Sequence, residues 1–166
     1  GTVRSNLDPF GTYGDDSLWH ALTAVYLREQ VEGMPKGLDA PITEFGENLS
    51  VGSRQLMCLA RAVLRNPRIL VMDEATASID YKSDEKIQKT IREQFQNATV
   101  LTIAHRIATI ADSDRVMVLD FGKLVEFDSP ANLLKNPHSI YSHLAKKSQK
   151  AAAKEATKAA PSEQPS

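Results

Sequence analysis

Cysteine is almost missing from this chain: Cys58 is the only one in 166 residues. No internal disulfide can form, and nothing points to an oxidising compartment. Cys58 falls inside an apolar helical pattern, where the expected state is a buried structural thiol. No apolar run approaches the roughly 20 residues needed to span a bilayer, and no signal-peptide pattern opens the chain. Charge of one sign is also lacking. The formal net charge is −1, so no global basic field points to nucleic acid. Gly1 rather than methionine stands first, which leaves room for a processed or truncated piece of something longer.

What is present is a globular, soluble composition, 42% apolar and 25% charged, with length enough for one ordinary domain and its core. The charge is unevenly spread. Lys146 to Ser166 holds five lysines and two glutamates, a balance of +3 against −4 for residues 1–145. That segment, 146–166, contains no Val, Ile, Leu, Met or aromatic residue and cannot join a core. It reads as a disordered or weakly helical tail. Its lysines can touch anionic headgroups, but no amphipathic apolar face supports docking, and a solvated tail is the simpler reading.

Residues 1–14 are rich in turn formers and read as a loop. Asp15-Asp16-Ser17 starts a helix carrying Leu18, Leu22, Val25 and Tyr26, expected to run to about Val31. Residues 33–48 are irregular. Ser50 opens a second helix, with Leu56, Leu59, Ala60, Val63 and Leu64 on one face and Asn66-Pro67 as its stop. Arg68 to Met72 has the continuous apolar character of a strand buried on both faces. A helix from Ser83 to Phe95, a second buried strand from Ala98 to Ile103, a short helix from Arg106 to Ala111 and a third strand from Arg115 to Leu119 follow. Lys123 to Phe127 pairs back on that strand through a turn at Asp120-Phe121-Gly122, ahead of short helices from Pro130 to Leu134 and from Pro137 to Ala145. The alternation of strand and helix predicts an α/β fold with a mostly parallel sheet.

In an open parallel sheet, ligands sit beyond the carboxyl ends of the strands. Asp73 and Glu74 stand at such an end, in ILVMDEATASID. One acid there can hold a hydrated Mg²⁺ and a second can orient and deprotonate a water. The same pair also reads as a solvated strand end capping the next turn. Three further features bear on the choice. LSVGSRQ, residues 49–55, heads the second helix, where Ser50 is a good cap, Gly52 permits close backbone approach and the free amides suit an anion. His105 lies just past the second strand, in TIAHR, and Ser78-Ile79-Asp80 closes the stretch after Glu74.

Together these residues resemble the ATP-binding cassette (ABC) family. LSVGSRQ is similar to its signature motif, RILVMDE to its Walker B strand, ASID to its D-loop and the His105 segment to its switch histidine, in matching order and spacing. The resemblance covers residues 1 to about 145. GTVRSNLDPFG, TEFGENLSVG, MDEATAS, IQKTIREQF, TVLTIAHR and SDRVMVLDFGKLVEFDSP narrow it to the second nucleotide-binding domain of C-subfamily transporters, the multidrug-resistance-associated proteins.

The resemblance implies an incomplete P-loop NTPase domain with a helical signature subdomain, using ATP and Mg²⁺. Asp73 would position Mg²⁺ through water, Glu74 would polarise the attacking water and His105 would contact the γ-phosphate. Leu49, Ser50, Val51, Gly52, Ser53, Arg54 and Gln55 would face ATP held by a second nucleotide-binding domain, and Asp80 would communicate across that interface. The implied setting is the cytosolic face of a membrane, reached only through transmembrane domains of the same transporter. The implied cargo is organic anions or conjugates.

The sequence also departs from the family. A G-x-x-x-x-G-K-[ST] phosphate loop is absent, since the only Gly-Lys is Gly122-Lys123, followed by Leu124. Without that loop nothing on the Glu74 side neutralises the β- and γ-phosphates. The 166 residues alone are therefore expected to bind Mg-ATP poorly, and their strands to leave an exposed edge. Val51 stands where a second glycine is common and Ser53 where glutamine is usual. Two other readings compete. One is a non-catalytic module that offers Ser50 and Gly52 to another domain's ATP. The other is an ATPase head of the chromosome-maintenance type, which predicts flanking coiled coil and DNA contact. No heptad run appears, and residues 1–145 are net acidic.

Overall fold

The computed structural model describes residues 1–73, 81–104 and 106–159, and the chain divides into two units, Gly1–Ile103 and Ala104–Ser166. The first unit begins with a helix, α1 (Val3–Leu7), inside the stretch expected to be loop. Its cause is local. The Ser5 amide donates to Thr2 Oγ1 at 3.1 Å while the Thr2 amide donates to Ser5 Oγ at 2.8 Å, a reciprocal capping box. Val3 and Leu7, four apart, are the buried pair. Arg4 fastens this helix outward, pairing with Asp15 and, through Nε at 3.0 Å, with Asp39.

The helix expected over residues 15–31 is two helices, α2 (Asp15–Ala24) and α3 (Arg28–Glu32). Between them Tyr26 takes a left-handed conformation, φ 61°. The Tyr26 amide donates to Thr23 O at 3.1 Å and the Leu27 amide to Leu22 O at 2.9 Å. These two bonds form the double closure that ends many helices. Glycine usually announces it; a tyrosine gives no warning.

Helix α4 (Val51–Arg65) has the bounds its sequence signals suggest, with Ser50 as its N-cap and Asn66 left-handed at its end (φ 44°). It lies against α2, and its buried residues Leu56, Met57, Leu59 and Ala60 join Leu18, Ala21, Leu22 and Val25 in one core. Cys58, expected inside, is exposed. At 100° per residue it points away from the stripe formed by residues 52, 53, 56, 57, 59 and 60.

Strand β1 (Ile69–Asp73) pairs in parallel with β2 (Thr99–Ile103), with register running from Ile69↔Thr99 to Asp73↔Ile103. The connection includes α5 (Tyr81–Gln94), which seats Ile87 in the core. The buried Thr90 hydroxyl bridges Lys86 O at 2.9 Å and Ala24 O at 3.1 Å. Both faces of β1 were expected to be buried. Met72 is, but Ile69 is 66% exposed, and Val71, Leu101 and Ile103 are exposed beside it. Helices cover one face of the pair; among the described residues nothing covers the other.

The second unit holds α6 (Ile107–Ile110), β3 (Val116–Asp120), β4 (Lys123–Asp128), α7 (Pro130–Lys135) and α8 (Ile140–Ala159). The expected third strand does not extend the parallel pair. It forms an antiparallel hairpin with β4 as a separate two-stranded sheet. Two residues join the strands, Phe121 at φ 45° and Gly122 at φ 73°, the positive-φ pair that matches strand twist. Val116, Leu133 and Tyr141 form this unit's core. Helix α8 continues past Ala145 to Ala159, through a stretch dominated by alanine and lysine, both good helix formers.

Two carboxylates at the end of β4 start the helices that follow. Asp128 Oδ1 accepts from the Ser129 amide at 2.7 Å and from Asn132 Nδ2 at 3.1 Å. Glu126 accepts from the Ile140 amide at 2.7 Å, the Tyr141 amide at 3.2 Å and Ser139 Oγ at 3.0 Å. Burial alone would raise the Glu126 carboxyl, but the bonds from Tyr141, Ile140 and Ser139 outweigh it and hold it below the usual glutamate range. A depressed carboxyl stabilises the fold above its unfolded pKa, and that gain vanishes as pH falls through the folded value. Glu126→Gln should therefore cost about 1 kcal/mol at pH 7, the size of a lost helix cap. The cost should shrink at acid pH, as urea denaturation at the two pH values would measure.

Candidate functional site

The head of α4 is held from three sides. Upstream, Asn48 ties down its own approach. Its Oδ1 accepts from the Thr43 amide and hydroxyl, both at 3.2 Å, and its Nδ2 donates to Pro41 O at 2.9 Å. Gly46 turns the chain at φ 66°, and a Cβ there would meet Arg54 Cδ at 3.0 Å, so the Arg54 stem lies directly against its backbone. Arg54 Nη1 also donates to Gly46 O at 3.3 Å. Leu49 is buried in the core and fixes the residue before the cap.

Ser50 then caps. Its Oγ accepts from the Ser53 amide at 3.0 Å and donates to Ser53 Oγ at 2.9 Å. Ser53 Oγ in turn donates to Gln30 Oε1 on α3 at 2.9 Å. The first bond of the helical ladder runs from the Arg54 amide to Ser50 O at 3.0 Å. The amides of Val51 and Gly52 therefore precede the ladder. A 15-residue helix adds a partial positive charge at this end. Free amides and dipole together suit an anion, and a phosphate is the anion such heads hold best. Gly52 and Ser53 are buried, Arg54 and Gln55 half-buried, and Ser50 and Val51 exposed.

Asp73 is exposed at the carboxyl end of β1. Its register partner is Ile103, so both strands stop at the same edge of the sheet. Glu74 and His105 come next after those strand ends in sequence, with only Ala104 between Ile103 and His105. Glu74, Asp80 and His105 lie outside the described residues. No hydrogen bond or ion pair among the described residues joins Asp73 to the α4 head. Nor do three His, Cys, Asp or Glu side chains converge there as a metal cage. A single strand-end carboxylate does fit Mg²⁺, which keeps several waters and takes one or two carboxylates together with phosphates.

Sequence reasoning missed Thr43, Asn48 and Gln30. The first two carried a signal, turn-forming side chains just ahead of a cap. Gln30 carried none, because it lies 23 residues before the serine it binds.

The ABC transporter family model matches residues 2–77. The chain is 56% identical over 141 residues to ATP-binding cassette sub-family C member 4 of Mus musculus, covering 85% of this chain and 11% of that protein. It is 60% identical over 134 residues to sub-family C member 3 of Homo sapiens, covering 81% and 9%. With multidrug resistance protein mrp-7 of Caenorhabditis elegans it shares 54% over 144 residues, covering 87% and 9%. The chain thus spans about a tenth of the length of the curated relatives it matches. With its signature string at the head of α4 and its acid-ended β1, the chain belongs to the ABC transporter family, in the C subfamily of multidrug-resistance-associated type.

Proposed function

We propose that the chain is the C-terminal part of the second nucleotide-binding domain of a C-subfamily exporter, where ATP hydrolysis drives transport across a membrane. Its cargo is then organic anions or conjugates, and its place is the cytosolic face, beside the transporter's own transmembrane domains. The observation that carries this reading is the α4 head: Ser50 caps a long helix whose first two amides precede its hydrogen-bond ladder, within a string similar to the family's signature.

On this reading Ser50, Val51, Gly52 and Ser53 face the γ-phosphate of ATP gripped by a second nucleotide-binding domain, and Leu49, Arg54 and Gln55 hold that head in place. Asp73 holds Mg²⁺ through water and Glu74 takes the proton of the attacking water. His105 contacts the γ-phosphate, and Asp80 signals across the interface. Mg²⁺, when bound, supplies charge neutralisation for the phosphates. The phosphate loop that grips ATP beside Glu74 is not among these 166 residues, so hydrolysis needs the complete transporter.

The test is Ser50→Asp in that transporter. Aspartate caps a helix as well as serine does, so α4 keeps its start while a carboxylate meets the triphosphate. ATP-dependent turnover should fall about tenfold or more, since like charges brought together cost several kcal/mol. Unchanged turnover would remove the α4 head from the nucleotide site.

A second reading is a non-catalytic module that lends α4 to another domain's ATP, and the missing phosphate loop favours it. Residues 1–166 would then be captured by an intact nucleotide-binding domain only when ATP is present.

A further inference from the structure

We propose that Thr90 is a positioning residue for ATP hydrolysis, its buried hydroxyl holding α5 against α2 and so fixing the segment that follows the acid end of β1. This role rests on the reading of Asp73 and Glu74 as the hydrolytic acids. A helix leaves its last four carbonyls without a partner inside its own ladder. At the end of α2 three of them are answered by the turn that follows. Ala21 O accepts from the Val25 amide at 3.2 Å, Leu22 O from the Leu27 amide at 2.9 Å and Thr23 O from the Tyr26 amide at 3.1 Å. The turn made by left-handed Tyr26 leaves the fourth, Ala24 O, to a side chain. Thr90 Oγ1 donates to it at 3.1 Å from a position 66 residues further on. Among the described residues no main-chain amide does so.

Thr90 is fully buried, so this bond is made away from water. Its one hydroxyl proton has a choice, since Lys86 O lies at 2.9 Å in the preceding turn of α5. Turned to Ala24 it ties α5 to α2; turned to Lys86 it is satisfied within α5 alone, a bond threonines in helices commonly make. The seam continues at the surface, where Lys89 lies over the Tyr26 ring at 5.3 Å and Tyr26 Oη donates to Glu93 at 3.4 Å. The path of the chain links this seam to the acids. Residues 74–80 run from Asp73, in register with Ile103, to Tyr81 at the start of α5. Thr90 lies about 14 Å along the helix axis from Tyr81, at 1.5 Å per residue. Whatever holds Thr90 therefore holds the far end of the segment that contains Glu74 and Asp80. Helix α2 in turn packs against α4. One hydroxyl thus joins the elements bearing the acids to the elements bearing the signature string.

The test compares variants of the complete transporter by kcat per folded molecule, KM for ATP and melting temperature. Thr90→Val keeps the shape of the side chain and removes the proton. It should lower kcat about fivefold, the weight of one hydrogen bond, and leave KM unchanged because the phosphate loop that grips ATP is untouched. Thr90→Ser returns the hydroxyl and should restore kcat. Lys89→Gln tests the same seam from the surface, where folding is not at stake. Losing the cation over Tyr26 should lower kcat about threefold with melting temperature unchanged. A lowered melting temperature with kcat intact in Thr90→Val overturns the proposal, as does a kcat defect that Thr90→Ser leaves in place. Should Thr90→Val fail to fold, an unaltered kcat in Lys89→Gln overturns it. Glu74→Gln run alongside tells the two levels apart. If it impairs turnover while Thr90→Val does not, the acids stand and the role of Thr90 falls; if Glu74→Gln turns over normally, both fall.

Discussion

Glu74→Gln in the complete transporter should leave ATP binding intact and cut turnover by roughly 10²–10⁴-fold, the usual weight of a general base. Glutamine fills the same volume and still accepts a hydrogen bond, so a water can be held in place. It cannot take the proton as that water attacks. Asp73→Asn makes the informative contrast. Asp73 ends β1, and losing its charge should weaken the response to Mg²⁺ concentration, a change in affinity for the ion rather than in the proton step. Nucleotide binding and steady-state hydrolysis across a Mg²⁺ series separate the two. Wild-type turnover in Glu74→Gln would sink the general-base role.

Leu22→Ala should be the most damaging of the conservative core changes in the 166-residue chain, at about 2–5 kcal/mol. Leu22 is fully buried between α2 and α4, among Leu18, Val25 and Leu56. Its carbonyl also receives the Leu27 amide that closes α2, so a cavity there opens beside the turn that sets α3 and with it Gln30. Domains of this size have only about 5–15 kcal/mol in hand. Ile69→Ala, on the uncovered face of β1, should change stability by about 0.5 kcal/mol or less. Urea midpoints for the two variants measure the difference, and equal midpoints would contradict the burial described here.

Legibility followed the range of the interaction. Helix α4, its Ser50 cap and its Asn66 end could be read because each depends on residues within a turn of one another. The hairpin at Phe121-Gly122 could be read for the same reason. Tyr26 could not. A left-handed tyrosine has no sequence signature, and the break between α2 and α3 is made by core packing of Leu22, Val25 and Leu27. Nor could the uncovered face of β1 be read: Ile69 and Val71 look like interior residues, and their exposure depends on what packs against the sheet. The candidate site divides the same way. Its contiguous string was visible, while the contact between Gln30 and Ser53 joins positions that only the folded chain brings together.

The two sheets differ in how far the chain must travel to close them. The β3–β4 turn needs two residues, and hairpins of that kind close in roughly 1–10 μs. Pairing Ile69 with Thr99 spans a whole crossover with α5 inside it, and non-local parallel pairing is intrinsically slow. The order of events is therefore built into the topology. Local helices and the hairpin close over a few residues, whereas β1 meets β2 only across the crossover that carries Ile87 and Thr90. Through that interval Ile69 and Val71 stand open on a strand that has not yet met β2. On a ribosome delivering about 5–20 residues per second, that strand waits roughly one and a half to six seconds for Thr99 to be made, far longer than any local step.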